Sequence, residues 1–264
     1  MEHRPKKCFG QNFLRDRQVV DQIVAAAQLQ PADRVLEIGP GHGVLTDRML
    51  PLVREVVVME VDRDLAAALR SRPAENLTVH EGDVLNLEWE SLLPSPPYKL
   101  VANLPYNISS QILFRILDHR QRLGRLILMF QKEVGDRLAA RPGTRDYGIL
   151  SVFCQLWFDI RRVTLVPPGA FFPPPKVTSV VLAFEPLPHP RVAIADEDFF
   201  RRVVKGAFAQ RRKTLRNSLT GYGFDALAVE TALAAAGIDP VRRGETLSLA
   251  EFARLAETLL SAAR

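Results

Sequence analysis

A short apolar run, Arg34-Val35-Leu36-Glu37-Ile38, passes straight into Gly39-Pro40-Gly41-His42-Gly43 and then into residues 44–52, which have helical spacing. Glycines at alternate positions after a strand let the backbone turn tightly and let a ligand approach without Cβ obstruction. The chain repeats this strand-to-helix unit. Residues 55–60, centred on Val56-Val57-Val58-Met59, form a second strand, and 64–70 an alanine-rich helix. Residues 77–80 are a third strand closing at Glu81-Gly82-Asp83, Leu100-Val101-Ala102 a fourth and 125–131 a fifth. Near-continuous apolar strands alternating with helices predict an α/β fold, a parallel, doubly wound sheet with helices on both faces.

The remaining pattern completes the organisation. A basic lead-in, 1–16, precedes a helix over 18–29, and another helix covers 133–140. Residues 150–158 are mostly apolar and fit either helix or strand, while 163–166 and 177–184 read as strands. Pro186, Pro188 and Pro190 read as a linker, after which the composition turns helical over 199–208, 212–219, 227–236 and 248–263. The expected domains are therefore 1–187, α/β, and 188–264, small and all-helical.

Composition narrows the class. The longest apolar runs, such as Leu126-Ile127-Leu128-Met129-Phe130, are far too short to cross a bilayer, and no apolar core follows the charged amino terminus, so neither a membrane span nor a secretory signal is expected. Cys8 and Cys154 show no metal spacing and no disulfide framework, as expected of reduced thiols in a cytoplasmic protein. The formal net charge is +5, and its distribution says more than its sum: seven Lys or Arg and no Asp or Glu lie between Arg201 and Arg216. They are Arg201, Arg202, Lys205, Arg211, Arg212, Lys213 and Arg216. A second group opens the chain at Arg4, Lys6, Lys7, Arg15 and Arg17, and Arg161-Arg162 is a third. One such run is commonly a solvated helix face; several in one chain favour a polyanion partner.

Chemistry concentrates at the strand ends. Glu60 closes the second strand about twenty residues beyond the glycine turn, where an acid bonds ribose hydroxyls. Asp83 closes the third and can accept from an adenine amino group. The turn lacks the third glycine of the dinucleotide pattern, which falls at Val44, so the set suits an adenosyl ligand without a pyrophosphate. Glu60 alone does not separate S-adenosylmethionine from a nicotinamide dinucleotide. Asn103-Leu104-Pro105-Tyr106, after the fourth strand, does. An amide oxygen and a main-chain carbonyl can accept from one amino group, and the tyrosine ring can stack on a flat base. That suits methyl transfer to an exocyclic amine, and hydride transfer has no use for it. The plainer reading of these four residues is a strand-to-helix turn with a rigid proline and a packed tyrosine.

These blocks resemble the ribosomal RNA adenine N6,N6-dimethyltransferases over nearly the whole chain. The likeness rests on Phe9-Gly10-Gln11-Asn12-Phe13-Leu14, Glu37-Ile38-Gly39-Pro40-Gly41, Asn103-Leu104-Pro105-Tyr106-Asn107-Ile108-Ser109 and Gln131-Lys132-Glu133-Val134. It continues through Phe171-Phe172-Pro173-Pro174-Pro175-Lys176-Val177 and Gln210-Arg211-Arg212-Lys213-Thr214-Leu215-Arg216-Asn217. The resemblance implies a Rossmann-like class I methyltransferase sheet, with S-adenosylmethionine as methyl donor and no metal. It implies that Gln11, Asn12 and Leu14 close a lid over the donor, that Gly39 and Gly41 contact its methionine part, and that Glu60 and Asp83 hold its ribose and adenine. Asn103, also beside the donor, and the Leu104 carbonyl would hold the target N6, with Tyr106 and Phe171 stacking on a flipped base. Phe172 stands at a position without an assigned role, and His42 reads as exposed rather than catalytic. The implied partner is small-subunit ribosomal RNA within a pre-30S particle, gripped by the helical domain, with the enzyme a monomer. Methylation of large-subunit RNA and an assembly role in which RNA binding outweighs catalysis are the alternatives; a small-molecule methyltransferase is disfavoured by the basic runs.

Overall fold

The computed structural model describes residues 11–262. Its elements, in chain order, begin with β1 (Phe13–Leu14), α1 (Arg17–Ala27), β2 (Arg34–Ile38), α2 (Val44–Met49), β3 (Glu55–Glu60), α3 (Arg63–Arg70) and β4 (Leu77–Glu81). They continue with α4 (Trp89–Leu92), β5 (Tyr98–Asn103), α5 (Ser109–Asp118), β6 (Leu123–Gln131), α6 (Lys132–Leu138), α7 (Ile149–Trp157), β7 (Phe158–Val166), β8 (Phe171–Phe172) and β9 (Ser179–Pro186). Four helices end the chain: α8 (Glu197–Phe208), α9 (Leu215–Tyr222), α10 (Ala226–Ala235) and α11 (Leu249–Ala262).

The main sheet has seven strands in the order β4-β3-β2-β5-β6-β9-β7. The pairs from β4 through β6 are parallel, and β9 runs antiparallel to β6. The apolar runs are the interior strands: Val35, Leu36, Val56, Val58, Leu100, Val101, Leu126, Ile127 and Leu128 are all inaccessible to solvent. Each such side chain contributes roughly 1.5–3 kcal/mol through burial. β4, at the edge, is only partly buried, which explains its weaker apolar pattern.

Local chemistry sets the helix starts. The Asp16 carboxylate accepts from the Gln18 and Val19 amides at 2.9 and 3.2 Å, Asp62 from Asp64 at 3.1 Å, and Asp196 from Phe199 at 2.9 Å. Such caps satisfy amides that have no partner within the helix. Thr214 caps α9 in the same way. The helix expected from 212 therefore begins at Leu215, and Arg211, Arg212 and Lys213 lie in the turn before it.

The chain divides into two compact units. One comprises residues up to Gly135 with Asp159–Pro186; the other comprises Asp136–Phe158 with Leu187–Arg264. A border falls at Pro186, but 136–158, expected in the α/β domain, belongs to the helical unit. The ambiguous apolar stretch is α7, and it is tied there by its own carbonyls. Leu187 N–H donates to Trp157 O at 2.9 Å, and Arg191 N–H to Leu156 O at 2.8 Å. Among the described residues no helix is long and apolar enough to cross a membrane.

Candidate active site

β2 begins the wound sheet and has β3 on one side and β5 on the other, so the chain leaves it in opposite directions. A crevice opens at the carboxyl ends of the strands around this switch point. It is a cavity of about 260 Å³, lined by Gln11–Leu14, the glycine turn, Glu60, Asp83 and the loop from Asn103 to Ile108. Every residue expected to touch the donor lies there: Gln11, Asn12, Leu14, Gly39, Gly41, Glu60, Asp83 and Asn103.

Gly39, Gly41 and Gly43 all have positive φ, a region that side chains with Cβ rarely adopt. At Gly41 a Cβ would also stand 2.9 Å from Cδ1 of Phe13. The turn is pinned from β3. The Glu60 carboxylate is 4 % exposed and accepts from Gly41 N–H at 3.0 Å and Asp62 N–H at 2.9 Å. Burial raises its pKa despite these donors. A carboxylate offers about four acceptor positions, so these backbone donors do not exhaust its capacity for hydroxyls of a ligand. Asp83 accepts from Leu85 N–H at 2.9 Å and Asn86 Nδ2 at 3.1 Å, fixing its orientation at the end of β4.

The Asn103 loop is oriented from three sides. Asn103 Nδ2 donates to the Asn12 carbonyl at 3.1 Å, which leaves Oδ1 as the acceptor end of the amide. Leu104 N–H donates to Met129 O at 3.3 Å on the neighbouring strand. Tyr106 Oη shares a 2.6 Å hydrogen bond with Oγ of fully buried Ser179, at the start of β9. Gln11 Nε2 donates to Asp62 at 3.1 Å and ties the segment before β1 to the end of β3.

The arrangement can hold an adenosyl group against two carboxylates, and a flat amine against two oxygens and a ring. Three comparisons place it among known proteins. The family model described as ribosomal RNA adenine dimethylase matches residues 2–260. The chain belongs to the ribosomal RNA adenine dimethylase family.

Relatives include a ribosomal RNA small subunit methyltransferase A of Syntrophotalea carbinolica, 66% identical with 98% of each chain covered. Another of the same name, from Geobacter sulfurreducens, is 52% identical over 98% of this chain and 96% of its own. Among solved structures, a dimethyladenosine transferase from Plasmodium falciparum superposes with a TM-score of 0.82 at 26% identity, covering 95% of this chain and 98% of that one. The 23S rRNA methyltransferase ErmE does so with 0.70 at 29% identity, covering 94% and 99%. The chain is thus an RNA methyltransferase with a Rossmann-like class I fold, and its family acts with S-adenosylmethionine as methyl donor.

Within this dimethylase, Phe171, expected to stack on the base, is not among the residues lining this cavity. It is 4 % exposed and sits in the core with Leu14, Val20 and Ile23. The cause is the β1–β8 ribbon, in which Leu14 pairs with Phe171 and Phe13 with Phe172. Directly opposed residues share a face, so the alternation sends Phe171 inward with Leu14 and leaves Phe172 outside, 46 % exposed. The residues before Gln11, Cys8 among them, lie outside the described residues. Cys154 is buried, with its thiol pushed up to about 12 by desolvation.

The basic run is not one uniform face. Arg201 pairs with Glu197 at 3.1 Å, and Arg216 Nε donates to Glu230 at 2.6 Å. Arg211 donates to the Arg145 carbonyl. Arg202 lies over the Phe224 ring at 4.7 Å, and Lys205, Arg212 and Lys213 are exposed. Two site residues escape reading from sequence. Glu37, fully buried, lines the cavity and accepts from Thr46 Oγ1 at 2.5 Å, and burial lifts its pKa to about 8. An acid inside an apolar strand is the signal that marks it. Ser179 carries no such signal.

Proposed function

We propose that the chain transfers methyl groups from S-adenosylmethionine to N6 of two adjacent adenosines near the 3′ end of small-subunit ribosomal RNA, giving N6,N6-dimethyladenosines. It acts as a monomer on a pre-30S particle in the cytoplasm. The observation that carries this reading is the Asn103 amide: its nitrogen is turned to the Asn12 carbonyl, so its oxygen is the end offered to an amine. The small-subunit assignment is supported by the names of the relatives at 66% and 52% identity.

The donor set fits the cofactor that the family implies. The Gly39 and Gly41 backbone borders the methionine part, Glu60 accepts from the ribose hydroxyls, and Asp83 accepts from the donor's adenine. Gln11, Asn12 and Leu14 cover it. When bound, S-adenosylmethionine supplies an electrophilic methyl group on a sulfonium leaving group.

The target amine is a poor nucleophile because its lone pair is delocalised into the purine ring. Asn103 Oδ1 and the Leu104 carbonyl accept its two hydrogens and favour a pyramidal nitrogen with its lone pair directed along the transfer axis. Tyr106, its hydroxyl anchored by Ser179, offers a fixed ring for stacking. That stacking offsets part of the cost of taking the base out of its helix. Catalysis is then positioning and electrostatics. Phe171 supports the wall behind Leu14 rather than the base. Lys205, Arg212 and Lys213, with Arg202, contact phosphates; Arg201, Arg211 and Arg216 first have to leave their carboxylate partners Glu197, Glu245 and Glu230.

The test is incubation with tritiated S-adenosylmethionine and unmethylated small subunits, followed by mapping of the labelled nucleotides. Two adjacent labelled adenosines near the 3′ end are expected. No label in small-subunit RNA, with label taken up by large subunits assayed in parallel, would overturn the assignment.

A further inference from the structure

We infer that Phe172, with Arg15 stacked upon it, is a second aromatic platform, which holds the base of a nucleotide adjacent to the target adenosine. The inference rests on the RNA reading above and extends it from a one-base pocket to a two-base footprint. Phe172 is an exposed aromatic where most others are buried. In the β1–β8 ribbon it stands opposite Phe13, whose own side chain lines the cavity and packs against His42 with ring centres 4.2 Å apart. Opposed residues of an antiparallel pair project to one side, with Cβ atoms about 4.5–5.5 Å apart. The exposed ring therefore lies one strand spacing from Phe13, a residue of the cavity wall.

The platform is held in place before any ligand arrives. The amides of Arg15 and Asp16 both donate to the Ala170 carbonyl, at 2.8 and 3.3 Å, and Asp16 then caps α1. The exposed Arg15 guanidinium sits 4.1 Å from the Phe172 ring centre. A planar cation over a ring presents a flat face for a base and a charge for the phosphate beside it. Every base has a face for stacking, so such a platform tolerates sequence and contributes affinity and register. A fixed platform also loses little conformational freedom on binding. For an enzyme that must pull one adenosine from its stack, holding its neighbour keeps the strand open. A ring merely shielded by an arginine stem would do none of this.

The experiment uses the full chain and a small-subunit ribosomal RNA fragment carrying 2-aminopurine one nucleotide from the target adenosine. In the wild type, binding is expected to quench that fluorescence. Phe172→Ala and Phe172→Leu are expected to lose the quenching and to raise KM for RNA about tenfold, with S-adenosylmethionine affinity and melting temperature unchanged. Phe172→Trp is expected to restore both. Wild-type quenching and KM in Phe172→Ala and Phe172→Leu would overturn the inference, as would a loss confined to cofactor affinity. A wild-type chain that methylates no adenosine in unmethylated small subunits would instead sink the activity on which the platform depends.

Discussion

Glu37 illustrates what one residue contributes at the scale of its own environment. Desolvation lifts its carboxyl from the usual range to about 8, and the Thr46 hydroxyl offsets this only in part. A raised carboxyl favours the folded state while both states are protonated. That advantage is complete below the ordinary value of 4.5 and is lost as pH rises through about 8. Glu37→Gln keeps an acceptor for Thr46 and removes the ionisation. The cofactor-free variant is expected to gain stability over the wild type progressively between pH 5 and pH 8, measured as the difference in melting temperature. A difference independent of pH would contradict it. At this scale the sequence was partly legible. Glu60, Asp83 and Asn103 stand at strand ends, where chain direction alone brings them together. Phe171 turns inward and Phe172 outward because which of two adjacent phenylalanines is buried depends on the register of a two-residue strand pair, and no periodicity marks a strand that short.

At the scale of elements, the glycine turn and β1 are fitted to each other. Gly41 holds φ at +59°, and its missing Cβ is the space taken by the Phe13 ring. Gly41→Ala is expected to strain the turn, push Phe13 aside and weaken S-adenosylmethionine binding by tenfold or more in calorimetry, at a stability cost of about 1–3 kcal/mol. Unchanged affinity would show that β1 is not part of the cofactor wall. The parallel strands were legible because two covered faces demand unbroken apolar runs. The antiparallel course of β9 was not, since strand direction is set by the connection and not by the pattern. The start of α9 shifted to its Thr214 cap for a similar reason: a capping side chain outweighs a run of good helix formers.

Over the whole molecule, charge and chemistry are divided. The cavity lies in the α/β unit, while the basic turn before α9 lies in the helical unit. Replacing Arg211, Arg212 and Lys213 by Ala is expected to weaken RNA binding across sequences. It should also lower the salt dependence by about 0.7–0.9 for each phosphate no longer neutralised, with S-adenosylmethionine affinity intact. An unchanged salt slope would remove this turn from the RNA interface. The break at Pro186 was visible as a proline-rich composition shift, whereas the return of 136–158 to the helical unit depends on hydrogen bonds from α7 carbonyls to residues that follow the break. The proposed reaction depends on Asn103 offering an oxygen to the adenosine amine. The direct measurement is single-turnover methyl transfer by Asn103→Ala with saturating cofactor and small subunits. A fall in rate of about 10²–10³-fold, with RNA binding retained, is expected. Transfer at the wild-type rate would contradict the account.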